Sequence, residues 1–263
     1  MIFDTHAHYD EECFEEDREQ LLSSLKEEGV RFIVNAAASP DGLRNSASLS
    51  EQFGLVYFAA GIHPDHAGDL TEELLEEIRS LSRRPKCVAI GEIGLDYHWM
   101  VSPKEVQADA FVRQMRLAIE EDLPINVHSR DAAQDTFNLI KKMHAGTTGG
   151  IIHCYSGSAE MAAEYVKMGY MLGIGGVVTF QNAKTLKQVV KTVPIENLVT
   201  ETDCPYLAPV PYRGKRCHSG YIRYVIDTIA QLKEMDRAQT EEILFENAMR
   251  VYKMTQRIVP EQM

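Results

Sequence analysis

The chain is short of positive charge, of cysteine and of long apolar runs, and each shortage excludes something. Lysine and arginine number 27 against 39 acidic residues, a formal net charge of −12. That balance repels nucleic acid at long range, so any phosphate-binding surface has to be local and assisted by metal. The five cysteines (Cys13, Cys87, Cys154, Cys204, Cys217) are odd in number, scattered, and never paired as C-x-x-C. No disulfide framework is expected, and a reducing cytoplasm is the expected location. No apolar stretch approaches the ~20 residues needed to cross a bilayer. A short apolar run leads straight into Asp4 and His6 with no basic region or cleavage site, so no signal peptide is expected. There is no low-complexity tract or Gly/Ser linker either, and residues 1–263 are expected to form one domain.

What the chain does have is a regular alternation of short apolar runs with longer amphipathic segments. The runs are Ile2–His6, Val30–Ala37, Leu55–Gly61, Cys87–Ile90, Pro124–Val127, Gly150–Ile152, Tyr170–Gly175 and Leu198–Glu201. Helices are predicted between and after them, near 14–28, 40–53, 72–82, 103–121, 132–143, 159–168, 183–192, 221–235 and 240–255. For the fourth of these, Ser102 is the expected N-cap and Pro103 the first helical residue. Eight such repeats in this length read as an α/β fold, a (β/α)8 TIM barrel, with an open doubly wound sheet as the runner-up.

The residues that close the runs are chemically unusual. His6 and His8 end the first, His63 the third, and Glu92 follows the fourth. His128 ends the fifth, His153 the sixth and Asp203 the eighth. Residues i and i+2 of a strand share a face, so His6 and His8 can aim both imidazoles at one point. A lone His-x-His pair is weak evidence of metal. Five of the chain's nine histidines falling in one structural slot, beside two carboxylates, is not. In a barrel that slot is the C-terminal rim, where the strand ends converge and the active site lies.

In this order the motifs Phe3-Asp4-Thr5-His6-Ala7-His8, Gly61-Ile62-His63-Pro64, Gly91-Glu92-Ile93-Gly94-Leu95-Asp96-Tyr97, His128-Ser129-Arg130-Asp131-Ala132, His153-Cys154-Tyr155-Ser156-Gly157 and Glu201-Thr202-Asp203-Cys204-Pro205-Tyr206-Leu207 resemble those of the TatD-type metal-dependent deoxyribonucleases. The resemblance continues through Ala208–Arg216 and covers essentially the whole chain. It implies an amidohydrolase-like barrel in which His6 and His8 ligate one ion, Glu92 bridges, His128 and His153 hold a second, and Asp203 returns to the first. Two divalent ions (Mg2+, Mn2+ or Zn2+) are the implied cofactors.

With that ligand set, two ions about 3.5–4 Å apart share a water, lower its pKa and clamp the entering and leaving oxygens of an in-line displacement at phosphorus. Asp203 or Glu92 is the candidate to orient that water or take its proton. Arg130, Arg213, Lys215 and Arg216 are candidates to grip phosphate oxygens, and Tyr206 and Tyr212 to stack on the base of a single-stranded end. His63 either contacts phosphate or supports its turn. His66, His98, His144 and His218 read as surface or supporting residues, with His98 also a candidate to reach the site. Cys154 and Cys204 read as packing residues.

The expected activity is hydrolysis of phosphodiesters, as a 3′-5′ exodeoxyribonuclease on single-stranded DNA. A barrel esterase such as an aminoacyl-tRNA deacylase is the enzymatic alternative, and a non-catalytic metal or nucleic-acid binding protein the other. Glu92 occupies the place where many C–N-cleaving barrels carry a carboxylated lysine, which moves the reading away from cyclic amides. Two departures from the family pattern bear on substrate preference: Cys217-His218-Ser219 where relatives read Asn-Glu-Pro, and Asp65 where they often carry histidine.

Overall fold

A computed structural model of the chain describes residues 1–143 and 148–256. Eight parallel strands form one sheet in sequence order: β1 (Ile2–Ala7), β2 (Val30–Ala36), β3 (Val56–Ala60), β4 (Cys87–Asp96), β5 (Ile125–Arg130), β6 (Gly150–Ile152), β7 (Tyr170–Ile174) and β8 (Leu198–Thr200). Between them run α1 (Arg18–Leu25), α2 (Pro40–Gln52), α3 (Glu72–Ser82), α4 (Lys104–Glu120), α5 (Ala133–Met143), α6 (Ala159–Lys167) and α7 (Lys184–Thr192), with α8 (Ile222–Lys233) and α9 (Arg237–Val251) after β8. This is the TIM barrel the repeat pattern predicts. No helix among the described residues is long and apolar enough to cross a membrane.

Buried side chains divide by strand face into two clusters. Ile33, Phe58, Ile90, Ile152, Leu172 and Leu198 pack outward against the helices. Phe3, Phe32, Val34, Tyr57, Val88, Ile151, Met171 and Val199 form the second cluster, joined by Tyr252 and Met254 from the end of the described chain. The buried Tyr252 hydroxyl donates to the carbonyl of Thr5 at 2.8 Å. The residues just after α9 are thereby tied to β1.

The seam between β1 and β8 is closed by a few specific bonds rather than a long ladder. The Asp203 amide donates to the His6 carbonyl at 3.0 Å, and the His8 amide to the Cys204 carbonyl at 2.8 Å. The fully buried carboxylate of Asp4 reinforces the seam, accepting from the Thr202 amide and hydroxyl at 3.0 and 2.6 Å and from the Ser219 hydroxyl at 2.7 Å. Burial pushes the Asp4 carboxyl up to about 7, against those hydrogen bonds.

Several boundaries differ from the sequence expectation; β4, for one, runs past Ile90 to Asp96. The first helix is broken: a 3-10 turn covers Glu12–Phe14, and α1 starts only at Arg18, whose guanidinium folds back on the carbonyls of Tyr9, Asp10 and Glu11. Ser102 does not cap α4. Pro103 takes that position, while the Ser102 hydroxyl donates to Asp65 and its carbonyl accepts from Gln107. His144 lies outside the described residues.

Candidate metal centre

The register of β1 shifts between Asp4 and Ala7. Simple alternation from the inward-facing Phe3 would send Thr5 and Ala7 to the interior. The irregularity re-aims the strand end, so Ala7 packs with the outer cluster and both histidines meet the other rim residues.

Those residues converge tightly. The Nε2 atoms of His6 and His8 lie 3.1 Å apart. Glu92 splits its two oxygens between two groups. Its Oε2 lies 3.3 Å from His6 Nε2 and 3.6 Å from His8 Nε2, while Oε1 lies 2.7 Å from His128 Nδ1, 3.9 Å from His153 Nε2 and 4.0 Å from His63 Nε2. Asp203 Oδ1 approaches His8 at 3.3 Å, His153 at 3.6 Å and His6 at 4.0 Å. The rings of His6 and His153 stack at 3.5 Å. Ligand atoms of His6, His8 and Asp203 fall within 4.8 Å of one another, and so do those of His63, Glu92 and His128.

Hydrogen bonds set the tautomers. A carbonyl only accepts, so the 3.0 Å contact of His8 Nδ1 with the Ala36 carbonyl puts the proton on Nδ1 and turns Nε2 toward the centre. His63 is the reverse case. Its Nδ1 accepts from the Asp65 amide at 3.2 Å, which leaves Nε2 carrying the hydrogen that faces the centre. In this tautomer His63 is a donor, suited to an anionic oxygen rather than a cation.

Electrostatics follow the same division. Burial alone lowers an imidazole, yet Asp203 and Glu92 carry His8 up to about 10. His128 rises to about 9 against burial because it lies between Asp96 and Glu92, and His153 to about 9 because of Glu201 and Asp203. Desolvation holds His63 down, to about 3, and keeps it neutral. Glu92 and Asp203 stay below the usual carboxylate range despite burial, held there by the histidines. Two carboxylates and four imidazoles this close require positive charge between them, as protons or as metal ions. The donor set also fits ions: neutral imidazole with carboxylate suits Zn2+ and Mn2+, and carboxylate suits Mg2+. His6 Nδ1 and His153 Nδ1 are buried without a hydrogen-bond partner, which leaves those rings under-satisfied by the protein alone.

Three carboxylates that sequence reasoning did not single out support the ligand candidates. Asp96 Oδ2 lies 3.1 Å from His128 Nε2. Glu201, fully buried, lies 3.2 Å from His153 Nδ1 outside hydrogen-bond geometry, while its Oε1 accepts from the Cys154 amide at 2.5 Å. Asp4 acts through the seam. Asp96 was visible in principle, since it stands four residues after Glu92 and strand alternation gives both one face.

A cleft of about 780 Å3 opens above the centre, lined by His8, His63, Glu92, His128, His153 and Asp203 and rimmed by Trp99, Arg130 and Tyr206. Arg130 and Tyr206, predicted as substrate contacts, are therefore at the site. The other four are not part of its lining. Tyr212 stacks on Tyr221 at 4.3 Å, Arg213 lies over Phe180 at 4.5 Å, Lys215 is exposed, and Arg216 pairs with Asp17. His66 and Cys154 border the cleft, whereas Cys204 is buried. His98 faces Asp131 at 3.0 Å, and His218 packs on Tyr221.

Comparison with known proteins agrees with this geometry. Residues 3–253 match the family described as TatD related DNase. The chain is 45% identical to the uncharacterized metal-dependent hydrolase YabD of Bacillus subtilis, over 97% of this chain and 100% of that protein. It is 31% identical to the uncharacterized metal-dependent hydrolase YcfH of Escherichia coli K12, over 96% of each. Among solved structures, YjjV, a TatD homologue from E. coli K12, superposes with a TM-score of 0.89 at 29% identity, over 96% of this chain and 98% of that one. An organophosphorus hydrolase from Deinococcus radiodurans, at 14% identity and a TM-score of 0.64, shares the fold. The chain therefore belongs to the TatD-related DNase family and is a metal-dependent hydrolase.

Proposed function

We propose that this hydrolase cleaves phosphodiesters with two divalent ions, releasing nucleotides from the 3′ end of single-stranded DNA in the cytoplasm, and that residues 1–263 act as one catalytic domain. The observation that carries the reading is the split of Glu92, one oxygen toward His6 and His8 and the other toward His128. A carboxylate so placed suits a bridging ligand. In this reading His6, His8 and Asp203 would hold one ion and His128 and His153 the other, with Glu92 shared. When bound, the ions supply a water of lowered pKa and positive charge for the phosphate oxygens.

The chain's own groups supply the rest. Asp203 is the most exposed of the ligand carboxylates, with its side chain 19% accessible at the cleft floor. Ionised well below neutral pH, it can accept the proton of the attacking water. His63 presents its Nε2–H to a non-bridging phosphate oxygen without adding charge. The Arg130 guanidinium, at the rim, matches the fork geometry of a phosphate. Asp96 orients His128 through a hydrogen bond, and Glu201 faces His153 Nδ1 as a charge; loss of such a supporting group typically costs about 10–100-fold in metal affinity or activity.

Tyr206 in the cleft serves as a stacking surface. Tyr212, Arg213, Lys215 and Arg216 would meet strand that extends beyond the cleft mouth. Arg216 contributes least, because Asp17 already neutralises it. Changing Arg213 and Lys215 to alanine is expected to weaken binding of a long single strand and flatten its salt dependence by about one to two in slope, with little effect on a dinucleotide. Equal salt slopes would make the loop a solvated face.

The test of the function is product analysis on 5′- and 3′-labelled single-stranded DNA with Mg2+, Mn2+ or Zn2+. Mononucleotides released first from the 3′ end, and none released by Asp203→Asn, is the expected pattern. No release from DNA by the metal-loaded protein, with release of the amino acid from an aminoacyl-tRNA, would replace the reading with the ester one.

A further inference from the structure

The chain has a single tryptophan, and it lies where a soluble protein has least reason to keep one. Trp99, in the turn after β4, is 62% exposed and lines the cleft. The turn is not loosely attached. Asp96 Oδ1 accepts from the amides of His98 and Trp99 at 2.8 and 2.9 Å, while its Oδ2 contacts His128. One carboxylate thus fixes both the backbone under the indole and the imidazole beside Glu92. The Arg130 guanidinium lies over the indole, 5.4 Å from its centroid, and the His98 ring stands at right angles to it with the centroids 4.9 Å apart.

We infer that Trp99 is the base-stacking platform of the active site, with Arg130 over it for the adjoining phosphate. This inference rests on the phosphodiesterase reading and adds the group that selects the substrate. An exposed indole held rigidly beside a guanidinium offers a nucleobase a flat apolar face and its phosphate a fork, at low entropic cost. The second aromatic of the cleft, Tyr206, comes from the loop after β8, 52% exposed and on the opposite side of the barrel from β4. Two platforms on opposite sides can hold successive bases with the phosphate between them over the centre. Paired bases, stacked on each other, cannot open onto either. Because stacking is indifferent to base identity, the site should select single strands without reading sequence.

The lone indole is also the probe. The full-length protein, in chelator so that no hydrolysis occurs, is titrated with oligothymidylate and with an abasic strand of the same length. Tryptophan emission should be quenched by the thymidylate and hardly by the abasic strand. By anisotropy of labelled thymidylate, Trp99→Ala should bind about 5- to 150-fold more weakly and Trp99→Phe should recover most of the loss. Equal quenching by both strands, or equal affinity of Trp99→Ala and the natural protein, would overturn the inference. Product release from the same thymidylate by the metal-loaded natural protein separates the two claims. Release with no effect of Trp99→Ala defeats the platform alone, whereas no release under any metal defeats the phosphodiesterase reading beneath it.

Discussion

Glu92→Gln should lose both ions' share of the centre and at least about 10³-fold in hydrolysis rate, while keeping the barrel. The expectation follows from where the two oxygens point. His6 and His8 meet Oε2, and His128, His153 and His63 face Oε1. Glutamine preserves the volume but offers one neutral oxygen and an NH2 that repels a cation. The NH2 would face either the first histidine pair or His128. Because the side chain is nearly fully buried, no water can replace the missing charge. Metal content by elemental analysis and rate on a single-stranded substrate check this together. A variant that keeps two ions and the natural rate would remove Glu92 from the bridge.

The metal-free protein should be markedly less stable in alkali, and ions should abolish that weakness. His8, His128 and His153 titrate near 10, 9 and 9 in the folded chain, above the ordinary imidazole value of about 6.5. Groups raised on folding bind protons more tightly folded than unfolded. Their stabilisation is complete below about pH 6.5 and disappears as pH climbs through 9 to 10. Glu92 and Asp203, depressed on folding, act in the opposite sense: their contribution is present above the ordinary carboxylate range and is lost in acid. The metal-free protein should therefore be most stable at mildly acidic pH. It should lose on the order of a few kcal/mol between pH 7 and 10, about 10 °C in melting temperature for a chain this long. Bound ions would take over the role of those protons, so loaded protein should melt at nearly the same temperature across that range. Loading at pH 7 should release protons, seen as a buffer-dependent heat. Identical metal-free melting temperatures at pH 7 and 10 would contradict the assigned charges.

Much of this site was legible in the sequence because its candidate ligands sit at strand ends, where the repeat pattern itself marks them. His6, His8, His63, Glu92, His128, His153 and Asp203 were all found that way, and they come together. The errors have physical causes. The fourth apolar run ends at Ile90 in the sequence, where Gly91 and Gly94 interrupt it, but β4 runs on to Asp96. The glycines are there for close approach to β5. A Cβ on Gly91 would lie 2.7 Å from that of Asn126, and one on Gly94, at φ 151°, would lie 2.0 Å from the His128 carbonyl oxygen. Ending the strand at Ile90 left Asp96 and Trp99 outside the predicted site. Glu201 and Asp4 could not be assigned from spacing, since Glu201 acts on His153 and Cys154 at the end of another strand and Asp4 only once the β1–β8 seam closes. The basic loop lies outside the cleft lining: the chain turns away after Tyr206 and Leu207, which leaves Tyr212, Arg213 and Lys215 for strand beyond the cleft mouth in the proposed reading, while Arg216 pairs with Asp17.

Anomalous diffraction from crystals of the Mn2+-loaded protein tests the central claim most directly. Two peaks about 3.5–4 Å apart on either side of Glu92, one by His6, His8 and Asp203 and one by His128 and His153, is the predicted result. A single peak that leaves Glu92 paired with His128, or no peak in the cleft, would contradict it.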